Sequence, residues 1–298
     1  MFKTALVTGG AGFIGSTLVN RLISMGVAVT IVDNLSTGKK ENINPKAKFI
    51  LEDICNINSN TLKNIDMVFH TAALARVQPS IIDPVNFDRI NVGGTVNLLK
   101  ACVDAKVKRV IYSASSSCYG NTTILPTPET APTNPLSPYG LQKYIGEQYC
   151  KMFSEVYDID TCSLRYFNVY GDNMSLEGAY KLAIPIFAQQ IKNNEPCTIN
   201  NMGDQRRDFT FVEDVVDANI LAANSTNNLN GESFNIGNGD NISVNRLVDL
   251  MGGKKQYGNK VIEPFETLAD NSKAKEVLKW DPKGNLKQWL KGYLEKIL

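Results

Sequence analysis

The stretch "VTGGAGFIG", residues 7–15, constrains the fold more than any other part of this chain. Gly10, Gly12 and Gly15 stand in Gly-x-Gly-x-x-Gly spacing, with Gly9 just before them. An apolar run at 4–8 leads into the glycines, and an amphipathic stretch at 13–25 leads out. Between a strand and a helix, such glycines let the backbone approach a pyrophosphate at the positive end of the helix. The next apolar run, 27–33, ends on Asp33, 18 positions after Gly15. A carboxylate about 20 residues on is placed to bond the adenosine ribose 2′-hydroxyl of a dinucleotide. It would repel a 2′-phosphate, so the pattern favours NAD over NADP.

The first 170 or so residues continue in the same rhythm. Strand-like runs at 48–51, 67–70, 109–113 and 161–167 alternate with helical stretches at 84–105 and 139–157. Strands rich in Val and Ile, with no in/out alternation, suit a parallel sheet covered on both faces. The fold class expected is therefore α/β, a doubly wound Rossmann sheet. After Gly171 prolines and asparagines interrupt shorter elements. A helix is expected at 211–225, a strand at 233–237, and closing helices at 271–280 and 286–298. The expected division is an NAD-binding domain at 1–171 with 208–238. A smaller interleaved α/β substrate domain takes 172–207 and 239–298.

A net charge of +1 gives no basic excess for nucleic acid. No apolar run approaches the ~20 residues that span a bilayer, and the N-terminus lacks a signal-peptide pattern. A cytoplasmic protein with no membrane partner is expected. The six cysteines include no Cys-x-x-Cys pair and read as reduced packing thiols, Cys118 among them. With one histidine, His70, no metal site is expected. His70 ends a buried strand and reads as structural.

"SPYGLQKYIGEQYCKMF", residues 137–153, is the second anchor. Ser137 suits an N-cap and Pro138 the first helical position. Tyr139 and Lys143 are then i and i+4 on one helix face. A free tyrosine, with a pKa of about 10, is a poor base at neutral pH. A nearby ammonium and an oxidised nicotinamide both favour its phenolate.

At this point the chain resembles the extended short-chain dehydrogenases/reductases, specifically the NAD-dependent nucleotide-sugar epimerases. The motifs run nearly end to end: "TGGAGFIG" (8–15), "DNLSTG" (33–38), "HTAALARVQPS" (70–80), "NVGGT" (91–95), "SSSCYG" (115–120), "YGLQK" (139–143), "RYFNVYG" (165–171), "RRDFTFVEDV" (206–215), "FNIGNG" (234–239) and "ADNSKAKEVLKW" (269–280). The resemblance implies NAD as cofactor, a UDP-sugar as substrate, and a homodimer through helices at 91–105 and 139–157. It sets Gly9, Gly12, Phe13, Ile14, Gly15, Asp33, Asn34, Ser36, Thr37 and Gly38 at the cofactor. Asp53 and Ile54 would lie near the adenine. Ala72, Ala73, Ala75, Asn91, Ser113 and Tyr166 would line the rest. Ser115 would bond the sugar 4-hydroxyl, with Tyr139 as base and Lys143 on the nicotinamide ribose. Tyr139 and Ser116 would also meet the sugar, and Asn168 and Arg207 the diphosphate.

Dehydratases of the superfamily carry an acidic pair directly after the Ser/Thr of that loop. Here those positions are Ser116 and Ser117, so elimination lacks its acid and base while transient oxidation at C4 does not. The resemblance therefore implies inversion at C4 of a UDP-hexose through a 4-keto intermediate. The pairs are UDP-glucose/UDP-galactose or their N-acetylated counterparts. The alternatives are a UDP-glucuronate epimerase, a dehydratase, a reductase, or a non-catalytic NAD-binding sensor. One departure stands out. Where relatives carry an arginine for the diphosphate, 258–266 has none; Lys260 is the stand-in cation. Thr267 falls where room for a 2-N-acetyl group is set.

Overall fold

A computed structural model describes residues 2–174 and 182–298. Seven parallel strands form its main sheet. They are β1 (Thr4–Thr8), β2 (Ala28–Asp33), β3 (Lys48–Leu51), β4 (Met67–His70), β5 (Arg109–Ser115), β6 (Asp160–Tyr166) and β7 (Glu232–Ile236). Their order is β7-β6-β5-β4-β1-β2-β3, so the winding reverses between β1 and β4. Open α/β sheets bind ligands outside the carboxyl ends of the strands at such a reversal.

The lack of in/out alternation has a direct cause, because both sheet faces are buried. Ala5, Val7, Phe69 and Ile111 pack beneath α1 (Phe13–Ser24) and α4 (Val212–Asn224). Leu6, Val68, Val110 and Tyr112 pack beneath α2 (Thr95–Asp104) and α3 (Pro138–Tyr157). Phe69 is fully buried; truncating it to alanine costs about 3–5 kcal/mol. The sheet is the doubly wound Rossmann type expected of the sequence.

Several elements depart from their sequence outlines. β5 runs two residues beyond 113, to Ser115. Ala114 and Ser115 lie beyond the expected strand, yet they pair with β6 through Ala114↔Arg165 and Ser115↔Tyr166. The helix expected at 84–105 is instead broken. Asp83 caps a short helix, Pro84–Asp88, by accepting from the Asn86 amide at 3.2 Å. A π-helical turn, Arg89–Gly94, then leads into α2. That turn carries buried Asn91, whose side chain is fixed by the Leu74 backbone at 2.9 and 3.0 Å.

A third core gathers Tyr170, Ile184, Phe187, Cys197, Leu247, Val248 and Leu290. It lies among helices Ala183–Lys192, Val244–Met251 and Leu286–Ile297. The parallel pair Cys197–Ile199 with Lys255–Tyr257 has no counterpart in the sequence reading. The helix expected at 271–280 stops earlier, as Ser272–Val277. Beyond it the buried Trp280 donates its indole N–H to the Asp214 carbonyl at 2.8 Å. This ties the closing segment onto α4.

Candidate active site

A cleft of about 710 Å³ opens at the carboxyl ends of β1, β2, β4, β5 and β6. Its cofactor-like end starts at the glycine turn. A Cβ on Gly15 would stand 2.2 Å from the Gly9 carbonyl, so only glycine lets strand and helix close this tightly. No side chain caps α1, and Gly12, Phe13, Ile14 and Gly15 line the cleft. The first-turn amides are therefore a ready site for anionic oxygens. Asp33 sits at the tip of β2. Its two oxygens accept from the Ala11 and Leu35 amides at 3.0 and 2.8 Å. Asn34, Ser36, Thr37, Asp53 and Ile54 continue the wall. Asp53 titrates below the usual carboxylate range. Burial pushes it up, but bonds from Cys55 and Asn34 and the charge of Arg89 outweigh that.

Ala72, Ala73, Ala75, Tyr166 and Asn168 also face the cleft. Gly38, Asn91, Ser113, Lys143 and Arg207 lie outside its lining. A Cβ on Gly38 would meet the Asp33 carboxylate at 2.9 Å. Asn91 holds the loop at Leu74. Ser113 donates to the Tyr166 hydroxyl at 3.1 Å.

At the other end stand Ser115, Ser116, Ser117 and Tyr139. Ser115 donates to the Ser117 hydroxyl at 3.0 Å and accepts from the Ser117 amide at 3.2 Å, which caps the short turn Ser116–Tyr119. Ser137 caps α3 by accepting from the Gly140 amide at 3.1 Å, with Pro138 in the first turn. The Tyr139 amide donates to Ser80 at 3.1 Å. These bonds fix the Tyr139 backbone while its hydroxyl meets Ser115. Burial raises the Tyr139 pKa; the bond to Ser115 and the positive charge of Arg76 work against that rise. Arg76 lines the same cleft, and nothing in the sequence reading singled it out.

Lys143 lies one helical turn behind Tyr139 and is 4% exposed. Burial pulls its pKa down to about 7, with a small opposing effect from Cys150. Its Nζ sits 4.5 Å from the centre of the Tyr112 ring. His70 is neutral, because burial first and Lys143 second bring its pKa down to about 3. Thr95 donates to the Asn91 carbonyl at 2.6 Å, so its oxygen accepts from His70 Nε2 at 2.9 Å. His70 Nδ1 then accepts from Thr8 at 2.8 Å. The ring is fully bonded and reads as structural. Cys118 is 1% exposed, and burial pushes its thiol up to about 12. It packs and does not react.

On the substrate side, Asn168 donates to Thr267 at 3.2 Å. Arg207 is ion-paired to Glu263 at 2.6 Å and donates to the Arg206 and Phe265 carbonyls at 2.8 and 3.3 Å. Lys260 is exposed, outside the cleft lining. The charged group that the 258–266 segment brings to Arg207 is thus acidic. Among the described residues, no group of His, Cys, Asp and Glu could hold a metal ion, and no helix is long and apolar enough to cross a membrane.

Residues 5–237 match the NAD dependent epimerase/dehydratase family. The chain belongs to that family. Its relatives within the family match over nearly their full length. A putative UDP-glucose 4-epimerase of Methanocaldococcus jannaschii is 40% identical over 297 residues, 96% of this chain and 95% of that one. A UDP-N-acetylglucosamine 4-epimerase from Methanobrevibacter ruminantium, solved with UDP-N-acetylmuramic acid, superposes with a TM-score of 0.93 at 35% identity, covering 99% and 97%. The UDP-glucuronic acid 4-epimerase of Bacillus cereus, solved with UDP-glucuronic acid and NAD, gives a TM-score of 0.90 at 32% identity, covering 99% and 100%.

Proposed function

We propose that this NAD-dependent family member inverts C4 of a UDP-hexose through a transient 4-keto sugar. It is then an isomerase of the UDP-sugar 4-epimerase type. The observation that carries the reading is that Ser115 and Tyr139 line one end of the same cleft, with buried Lys143 one turn behind Tyr139. Relatives named for 4-epimerisation support it.

The residues divide the work. The first-turn amides of α1 hold the dinucleotide pyrophosphate, and Asp33 takes the adenosine ribose. NAD supplies the hydride acceptor and donor when bound. Tyr139 takes the proton of the sugar 4-hydroxyl and returns one after the ketose has turned over. Ser115 holds that oxygen in line. Lys143 reaches the nicotinamide ribose and favours the phenolate. Asn168 and Arg207 hold the diphosphate, so the sugar pivots about a fixed anchor. No carboxyl replaces Ser116 or Ser117, which argues against the dehydratase reading.

We assign the NAD-binding domain to 1–171 with 208–238, and substrate binding to 172–207 and 239–298. Of the second segment, 175–181 lies outside the described residues. Leu141, Val156 and Tyr157 leave apolar surface on α3, which supports a homodimer through α2 and α3. Thr267 sits behind Asn168 and sets how close that side chain comes to the sugar. The sugar itself is read by product analysis with UDP-glucose, UDP-N-acetylglucosamine and UDP-glucuronate. Conversion of UDP-glucose or UDP-N-acetylglucosamine to its 4-epimer, without NADH accumulation, is expected. Turnover of UDP-glucuronate alone would move the assignment to that relative's chemistry.

A further inference from the structure

We infer that Tyr112 is the positioning residue for Lys143: the face of its ring docks the buried ammonium at the back of the active site. The functional part of this inference rests on the reading that Lys143 serves epimerisation.

The geometry comes from three sides. Lys143 Nζ lies 4.5 Å from the Tyr112 ring centroid, well inside the ~6 Å at which a ring face attracts a cation. Tyr112 is fully buried in β5 and its ring leans on His70, with centroids 5.5 Å apart. Its hydroxyl lies 3.4 Å from the Lys143 carbonyl. A Cβ on Gly146 would stand 2.3 Å from that hydroxyl, so α3 can seat this ring only with glycine there.

Among the described residues, no neighbour brings Lys143 a negative charge. His70, facing from β4, is neutral, with its pKa brought down to about 3 by burial and by Lys143. Cys150, on the same helix, is a thiol pushed up to about 12 by burial. Glu147 is committed to Arg165 at 2.5 and 2.8 Å. Burial raises Tyr112 well above the ordinary tyrosine value and raises Tyr139 as well. Thr95, on the facing helix, brings only a hydroxyl to the Tyr112 ring oxygen. The quadrupole of the ring is what this pocket offers a cation. A side chain docked there is held within reach of the cleft without being locked into an ion pair.

The test changes the ring's electrons while keeping its shape. Tyr112 is replaced by phenylalanine and, separately, by trifluorophenylalanine in the full chain. The Lys143 ε-carbon is followed by NMR across pH in lysine-labelled protein, with Lys143→Met giving the assignment. Phenylalanine should leave the titration midpoint in place. Fluorination should move it down by about half a pH unit or more. In turnover, the alkaline limb of kcat should move down with it while KM holds. Equal midpoints for phenylalanine and trifluorophenylalanine would overturn the inference. Should the wild type turn over no UDP-sugar, the functional reading fails while the titration still decides the docking.

Discussion

Arg207 reaches Glu263 across 2.6 Å, and the same carboxylate accepts from Asn201 and Gln205 at 2.8 and 3.2 Å. A guanidinium held this way keeps its orientation before any anion arrives. With the diphosphate anchored on Arg207, Arg207→Ala should raise KM for the UDP-sugar about tenfold or more and change kcat less. Steady-state kinetics read this directly. An unchanged KM would remove Arg207 from the substrate site.

Tyr139→Phe keeps the ring and deletes the proton acceptor. A loss of kcat of roughly 10²–10⁴-fold is expected, with UDP binding retained. Ser115→Ala should fall in the same direction by less, since it removes an orienting bond. Wild-type turnover by Tyr139→Phe would refute the assigned base.

His70 makes folding depend on pH. Its folded pKa of about 3 lies below the ordinary 6.5. Between those values the unfolded chain holds a proton that the folded protein does not. The contribution is complete above about 6.5 and is lost as pH falls, by up to about 1.4 kcal/mol per pH unit. His70→Asn removes that component. Urea denaturation from pH 7 to 4 should show a shallower acid slope for the variant than for the wild type. Parallel slopes would contradict a buried neutral imidazole.

Behind the serine turn, Arg165 bonds Glu147 and donates to the Tyr119 hydroxyl at 2.6 Å, with both ion-pair partners buried. Glu147→Ala leaves the guanidinium charge uncompensated. A loss of about 3–5 kcal/mol in chemical denaturation is expected. A loss under about 1 kcal/mol would mean that water or another acceptor takes over.

Much of this was legible in the chain because short apolar runs, glycines and caps act locally. β1, β3 and β4 fall on the residues expected of them, and α3 begins at the Ser137 cap. The Rossmann class follows from the same features. What stayed hidden depends on long-range contact. Ala114 and Ser115 lie beyond the expected strand until β6 pairs with them. Glu263 has no marker in "VIEPFET" that ties it to a residue 56 positions earlier. Arg76 stands among small apolar residues, an oddity that could have been noticed, but its nearness to Tyr139 needs the fold. Tyr112 reads as one more buried strand residue, and only the register of β5 against α3 sets its ring under Lys143.

The central claim is that one hydrogen leaves C4 and returns to C4 of the same sugar. UDP-glucose carrying deuterium at C4 tests it most directly. The 4-epimer formed should keep the deuterium at C4, with no free keto sugar and no net NADH. Deuterium lost to solvent, or a stoichiometric release of NADH or keto sugar, would contradict the account.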